Sequence, residues 1–261
     1  MKVTTSENYI EVVNLMARRE VLIITEGEVS EEKLLNKFFE LFDIKRSPTV
    51  VSYKTDIYSL YHSMLKEEEC LEDISILTHL RSREKDIEKK KVFNKNYSDV
   101  LLFFDMEIQA TNFSFSKIKE MVEHFNDSTD IDKGKLYINY PMFESFYHMK
   151  SIPDANYITY KVHKDDAKGF KTIVHSMNPN HYKGLSLNRE EFVYIIKQNI
   201  EKAWAIQRES SKGDIIESAI ELEQKHILES QLAKLSCENE IAVLCTCIFF
   251  LAEEYPGQLK Q

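Results

Sequence analysis

Glycine and proline are scarce, at 6 and 5 of 261 residues, so the chain has few natural breaks and no flexible linker between domains is expected. Long apolar runs are missing as well. None approaches the roughly 20 residues that cross a bilayer, and residues 1 to 14 lack the basic-then-apolar layout of a secretory signal. The expectation is a cytoplasmic protein with no membrane partner. Cysteine is sparse: Cys70, Cys237, Cys245 and Cys247 show no paired CxxC spacing, which argues against a zinc site or a disulfide framework and for reduced core thiols. No P-loop occurs, so the chain brings no ATPase of that kind. An excess of positive charge is also lacking. A net charge of −9 disfavours a protein that coats nucleic acid by neutralising phosphates, but it suits a site built from carboxylates around a divalent cation.

What is present is a hydrophobic fraction of 43%, ample for one sizeable domain or one domain with a helical appendage. Val21 to Ile24 is a short β-branched-rich run of the kind a fully buried parallel strand needs. It ends in Glu26-Gly27. In open α/β sheets that end of a strand is where sites lie, and Gly27 allows a sharp turn. Ser30 is a suitable N-cap for a helix over about 30 to 42 with Leu34, Leu35, Phe38, Phe39 and Phe42 on one face, and Glu31 and Glu32 fall in its first turn, where the helix dipole favours negative charge.

Residues 1 to 18 read as a short helix, 49 to 53 as a second strand, and Thr55 or Asp56 as the cap of a helix carrying Ile57, Leu60, Tyr61 and Leu65. An insert over about 66 to 98 runs from acidic to basic, and its Arg81, Arg83, Lys89, Lys90 and Lys91 are candidates for phosphate contact. Val100 to Phe104 is another apolar strand, ending in Asp105-Met106-Glu107. Alternation in extended chain predicts that these two acids point to the same side and share a cation. A helix over 114 to 126 with Phe115, Ile118, Met121, Val122 and Phe125 buried, a strand over 135 to 138, and a helix opened by Pro141 with Glu144 and His148 on one face follow. Beyond them, 157 to 162 reads as an edge strand, and segments near 167–177, 188–207, 213–233 and 236–253 read as helices, with Asn188 and Ser236 as caps.

The order strand-helix-strand-helix-insert-strand-helix-strand-helix predicts an α/β chain with a mostly parallel sheet and helices on both faces. Residues 1–165 would form the catalytic domain and 166–261 a C-terminal helical region. Glu26, Asp105 and Glu107 then emerge on one sheet edge, and three carboxylates of this kind suit Mg²⁺ or Mn²⁺.

These blocks resemble a family. A hydrophobic strand ending in Glu26-Gly27 and a later one ending in Asp105-x-Glu107 look like the Toprim domain, a Rossmannoid catalytic fold shared by topoisomerases, primases and overcoming-lysogenization-defect nucleases. The finer form, Glu26-Gly27-Glu28-x-Ser30-Glu31 with a later Asn139-x-Pro141-x-x-Glu144, is similar to the RloB-like branch of bacterial defence loci. The resemblance covers roughly residues 20 to 150, and it departs from the usual Asp-x-Asp in having Glu107 at the second position. It implies a metal-dependent nuclease acting on DNA or RNA, in phage defence and with a partner ATPase, and it leaves homo-oligomerisation open. It also implies Glu26 as general acid/base or metal-ordering carboxylate, Asp105 and Glu107 as the metal-binding pair, Glu31 as an auxiliary ligand, and Gly27 and Glu144 as further site residues. A competing reading is a non-catalytic binding or regulatory subunit on the same scaffold, whose apolar stretch Ile241 to Leu251 would serve a partner.

Overall fold

The structure is a computed structural model, and it describes residues 20–27, 30–44, 48–66, 71–177, 186–211 and 213–260. The helix expected over 1 to 18 lies outside the described residues, as do Glu28 and Cys70.

The chain begins with β1 (Val21–Thr25), α1 (Ser30–Leu41), β2 (Thr49–Ser52) and α2 (Ile57–Met64). The insert contributes two short helices, α3 (Ile76–Arg83) and α4 (Ile87–Val92). Then come β3 (Asp99–Asp105), α5 (Phe115–His124), β4 (Asn126–Asp127) and β5 (Gly134–Asn139). The remainder comprises β6 (Lys161–His163), α6 (Phe170–Met177), α7 (Arg189–Ile206), α8 (Gln224–Glu238), β7 (Glu240–Ala242), α9 (Phe249–Glu254) and α10 (Pro256–Leu259). No helix among the described residues is long and apolar enough to cross a membrane.

The main sheet has the order β2-β1-β3-β5-β4, parallel throughout except for β4 against β5. Its central strands are apolar on both faces because both faces are covered, and every residue of β1 is buried. Side chains alternate along each strand. The register pairs Ile24 with Leu102 and Thr25 with Phe103, so two faces can be told apart. On the Phe103 face the ring packs against Phe250 of α9, while Phe38 of α1 meets Phe192 of α7. On the other face Phe104 meets Tyr53, whose hydroxyl is bonded to Ser63 of α2 at 3.0 Å. Burying each large apolar side chain in these layers stabilises the fold by roughly 1.5–3 kcal/mol. One continuous buried cluster runs from Val21 to Leu259 and includes residues on either side of position 165.

The topology carries one consequence for function. The chain leaves β1 for β2 on one side and later returns to place β3 on the other, so the strand order reverses between β1 and β3. Open α/β sheets bind ligands in the crevice that opens at such a point, beyond the carboxyl ends of the strands. Glu26 and Asp105 lie at those two ends.

Several local expectations are corrected. Phe115 is 37% exposed rather than part of the buried stripe of α5. Pro141 follows a cis peptide bond and leads into a 3₁₀ turn, Phe143–Tyr147, not an α-helix; with three residues per turn, Glu144 and His148 do not share a face. Residues Tyr157–Thr159 are a 3₁₀ turn, and the strand that follows, β6, pairs antiparallel with β7 in a separate two-stranded sheet. Ser236 lies inside α8 rather than capping a helix, and that helix ends at Asn239 in the left-handed conformation, a common stop signal. Between 213 and 223 the only helical turn described is the 3₁₀ segment Glu217–Glu221. The run Ile241 to Leu251 is buried within the chain's own core, so it is not a docking surface.

Candidate metal centre

β1 delivers Glu26 rigidly. Although the residue lies just past the strand, its backbone stays in the ladder: its N–H donates to the Phe103 carbonyl at 3.1 Å, and its carbonyl accepts from Lys54 N–H at 3.2 Å. By alternation Glu26 continues the Phe104 face of the sheet and Asp105 the Phe103 face. The two carboxylates nevertheless meet, because both sit at the edge where the strands stop. Glu26 Oε2 accepts the backbone N–H of Asp105 at 3.1 Å.

Glu107 reaches the same point by a route that alternation does not describe. β3 ends at Asp105, and Glu107 has a φ of 49°, a left-handed conformation rare outside glycine. The segment is clamped on both sides. Met106 N–H donates to the carbonyls of Asn139 (3.0 Å) and Pro141 (3.2 Å), and the hydroxyl of Tyr58 donates to the Met106 carbonyl at 2.7 Å. Gln109 donates its amide to Glu107. One oxygen each from Glu26, Asp105 and Glu107 can be chosen so that all lie within 4.8 Å of one another.

Around this trio lies a wider acidic shell. Glu31, buried in the first turn of α1, turns its carboxylate back over Gly27: a Cβ added there would come within 2.8 Å of Glu31 Oε2. Gly27 is not in a left-handed conformation; its missing side chain makes room for a carboxylate instead of permitting a turn. Glu144 is buried and paired with the exposed Lys171 at 2.5 Å. Asn139, at the end of β5 and buried, donates its amide to Asp105 Oδ1 at 3.2 Å and accepts Cys247 N–H at 3.3 Å. Because the carbonyl end is used by the backbone, the amide end is aimed at the carboxylate.

Crowding of like charge in a partly desolvated place sets the electrostatics. Burial, with the neighbouring carboxylates of Glu107, Asp56 and Glu31, pushes Glu26 up to about 8 against the lowering effect of the Asp105 N–H. Asp105 is held well above the usual carboxylate range, first by burial and then by Glu26, Glu31 and Glu144. Glu107 is raised by burial, Asp56 and Glu144, and Glu31 by burial and Glu144, with its own and the Gly27 N–H working in the opposite direction. Among the described residues none of Glu26, Asp105 and Glu107 has a cationic partner within ion-pair distance.

The structure therefore brings together Glu26, Asp105 and Glu107, with Glu31, Gly27 and Glu144 beside them. Of the basic residues, Arg81 and Arg83 lie at the end of α3 and Lys89, Lys90 and Lys91 on α4, all exposed except the half-buried Lys90. Arg81 bonds Asn94 and Lys91 bonds Glu88. Neither contact involves the acidic cluster. Three residues of the shell escaped a functional reading of the sequence. Asp56 does cap α2, accepting Ser59 N–H at 2.9 Å, but its charge also bears on Glu26 and Glu107. Asn139 was visible only as part of a motif, and nothing local marks Lys171.

The donor set fits a hard divalent cation. Carboxylate oxygens without a cationic neighbour, held by amides and backbone on several sides, are what Mg²⁺ or Mn²⁺ takes as ligands. The fold and site thus define a parallel α/β chain with a carboxylate cluster at its topological switch point. No protein-family model, curated protein or solved structure matches the chain.

Proposed function

We propose that the chain is a metal-dependent nuclease, hydrolysing phosphodiester bonds of DNA or RNA on a Toprim-like scaffold of the RloB-like kind. The observation that carries this reading is the convergence of Glu26, Asp105 and Glu107 within 4.8 Å at the switch point between β1 and β3. Both hydrophobic strands on which the resemblance rests are present, each with its acidic exit. Glu26, Asp105 and Glu107 would hold Mg²⁺ or Mn²⁺, with Glu31, whose charge bears on both Glu26 and Asp105, as an auxiliary ligand. When bound, such an ion polarises a phosphoryl oxygen and lowers the pKa of an attacking water.

The protein's own groups account for the rest. Asn139 and the Asp105 N–H fix the orientation of the Asp105 and Glu26 carboxylates. Glu26 has one of two roles in this reading, metal-ordering carboxylate or general acid/base, and burial with its neighbouring carboxylates pushes it up to about 8 in the ion-free chain. Gln109 holds Glu107. A role in phage defence beside a partner ATPase follows from the resemblance and belongs to the same proposal.

The test is cleavage of labelled DNA and RNA by the purified chain with Mg²⁺ or Mn²⁺. Wild type should cut, and Glu26→Gln and Asp105→Asn should not. Cutting retained in both variants would remove the site assignment.

A further inference from the structure

A second feature lies one step from the carboxylates. A cavity of about 220 Å³ opens beside β2 and is walled by Ile24, Ser52, Tyr53, Arg83, Glu84 and Phe93, among others. Ile24 is two residues before Glu26, so both side chains project from the same face of the sheet, about 7 Å apart along the strand. Val51 pairs with Ile24, which puts Tyr53 on that face too. The cavity and the carboxylate are also joined through backbone: Ser52 Oγ donates to the Glu26 carbonyl at 3.4 Å, and Tyr53 N–H donates to the Thr25 carbonyl at 2.8 Å.

The chemistry of the walls narrows the occupant. The volume is below the roughly 300–1,000 Å³ of pockets for drug-sized ligands, so it suits one small ring system. Half-buried Tyr53 supplies aromatic surface, and Phe93, buried in the core, closes the wall behind it. Arg83 supplies donors and Glu84 acceptors, as the edge of a nucleobase requires. A free phosphate would be repelled by Glu84, whose carboxylate is held in the wall by the backbone N–H groups of Lys85 and Asp86. An aliphatic side chain would leave Arg83 and Glu84 without use.

We propose that this cavity is a nucleobase pocket, seating the unpaired base next to the phosphate held at Glu26, Asp105 and Glu107. The proposal rests on the nuclease reading above and specifies its substrate as single-stranded or locally unpaired nucleic acid. It also assigns the insert a role: α3 carries Arg83, and the residue that follows α4 is Phe93, so the segment between β2 and β3 builds the recognition wall. Arg83 is thereby separated in function from Lys89, Lys90 and Lys91.

The experiment uses the full chain with Mn²⁺ and a set of single-stranded oligonucleotides in which each position in turn lacks its base. One abasic position flanking the scissile bond should slow cleavage about tenfold or more, the scale of a lost base-aromatic stack, while other positions change it little. Arg83→Ala, an exposed position whose replacement leaves the core intact, should erase that difference, and Tyr53→Leu should do so with apolar bulk retained. Cleavage that is equally fast for every abasic position, or a positional effect unchanged in both variants, overturns the pocket and leaves the nuclease standing. Failure of wild type to cut any strand with Mg²⁺ or Mn²⁺ overturns the nuclease reading and the pocket with it.

Discussion

The acidic cluster at the strand ends and the basic stretch of the insert are both concentrations of one charge, yet they differ in every physical respect. At the cluster, Glu26, Asp105 and Glu107 are partly withdrawn from water, tied by backbone and amide donors, and raised in pKa by burial and by the surrounding carboxylates. On α4 the lysines stand in solvent and no residue of that helix is buried. An exposed charge run costs the fold almost nothing and so says little about purpose. Carboxylates crowded together at a sheet edge oppose folding, so their presence says more about purpose than a solvated run does.

That contrast can be broken by mutation. Asp105→Asn or Glu26→Gln should lower cleavage by on the order of 10³-fold, the scale of losing a charge-stabilising group in a preorganised site. Replacing Lys89, Lys90 and Lys91 together by Ala should weaken substrate binding only a few-fold and flatten its salt dependence. Equal losses at the two places would erase the distinction.

Metal should act on the cluster alone. Mn²⁺ at about 100 times its Kd should stabilise the chain by about 2.7 kcal/mol, read as a rise of several degrees in Tm, and the rise should vanish in Asp105→Asn. With chelator present the same variant should be at least as stable as wild type, because it removes repulsion.

Gly27→Ala sharpens the account of Glu31. The new methyl group meets only the end of a flexible side chain, so the fold should survive, while the displaced carboxylate should weaken Mn²⁺ binding about tenfold, in line with supporting residues of metal sites. Unchanged affinity would reduce Glu31 to a bystander.

The smallest effect concerns pH in the chelated chain. Glu26 moves from 4.5 to about 8 on folding. Below 4.5 it is protonated whether folded or not and contributes no pH dependence. Between these values the unfolded chain ionises it more readily, so stability falls as pH rises, and the loss is complete above about 8. Thermal melts across that range should show a decline of a few degrees, flattened in Glu26→Gln.

Much of this was legible in the sequence. β1, β3 and β5 announce themselves as short apolar runs, and the acids at the exits of β1 and β3 mark the sheet edge. Asn188 reads as a cap from local chemistry alone, with a full capping box in the structure, whereas local chemistry leaves Thr55 and Asp56 both open and the structure selects Asp56. What could not be read depends on partners far along the chain. The periodicity over 236–253 predicts helix where β7 lies, yet Gln231 of α8 bonds both the N–H and the carbonyl of Ala242 at 2.8 and 2.9 Å, fixing extended backbone by side-chain contact. Alternation along an extended strand does not bring Glu107 to the cluster: β3 stops at Asp105, and a left-handed residue turns Glu107 round. Gly27 likewise matters for the space it leaves, which only the position of Glu31 reveals.

The central claim is that Glu26, Asp105 and Glu107 form one cation site. Titration of the chelator-treated chain with Mn²⁺, followed by electron paramagnetic resonance, addresses it without reference to any substrate. The account predicts saturable binding in wild type that is lost in Asp105→Asn and Glu26→Gln, with thermal stability of the variants preserved. Binding that persists unchanged in both variants, or no binding by wild type, would contradict it.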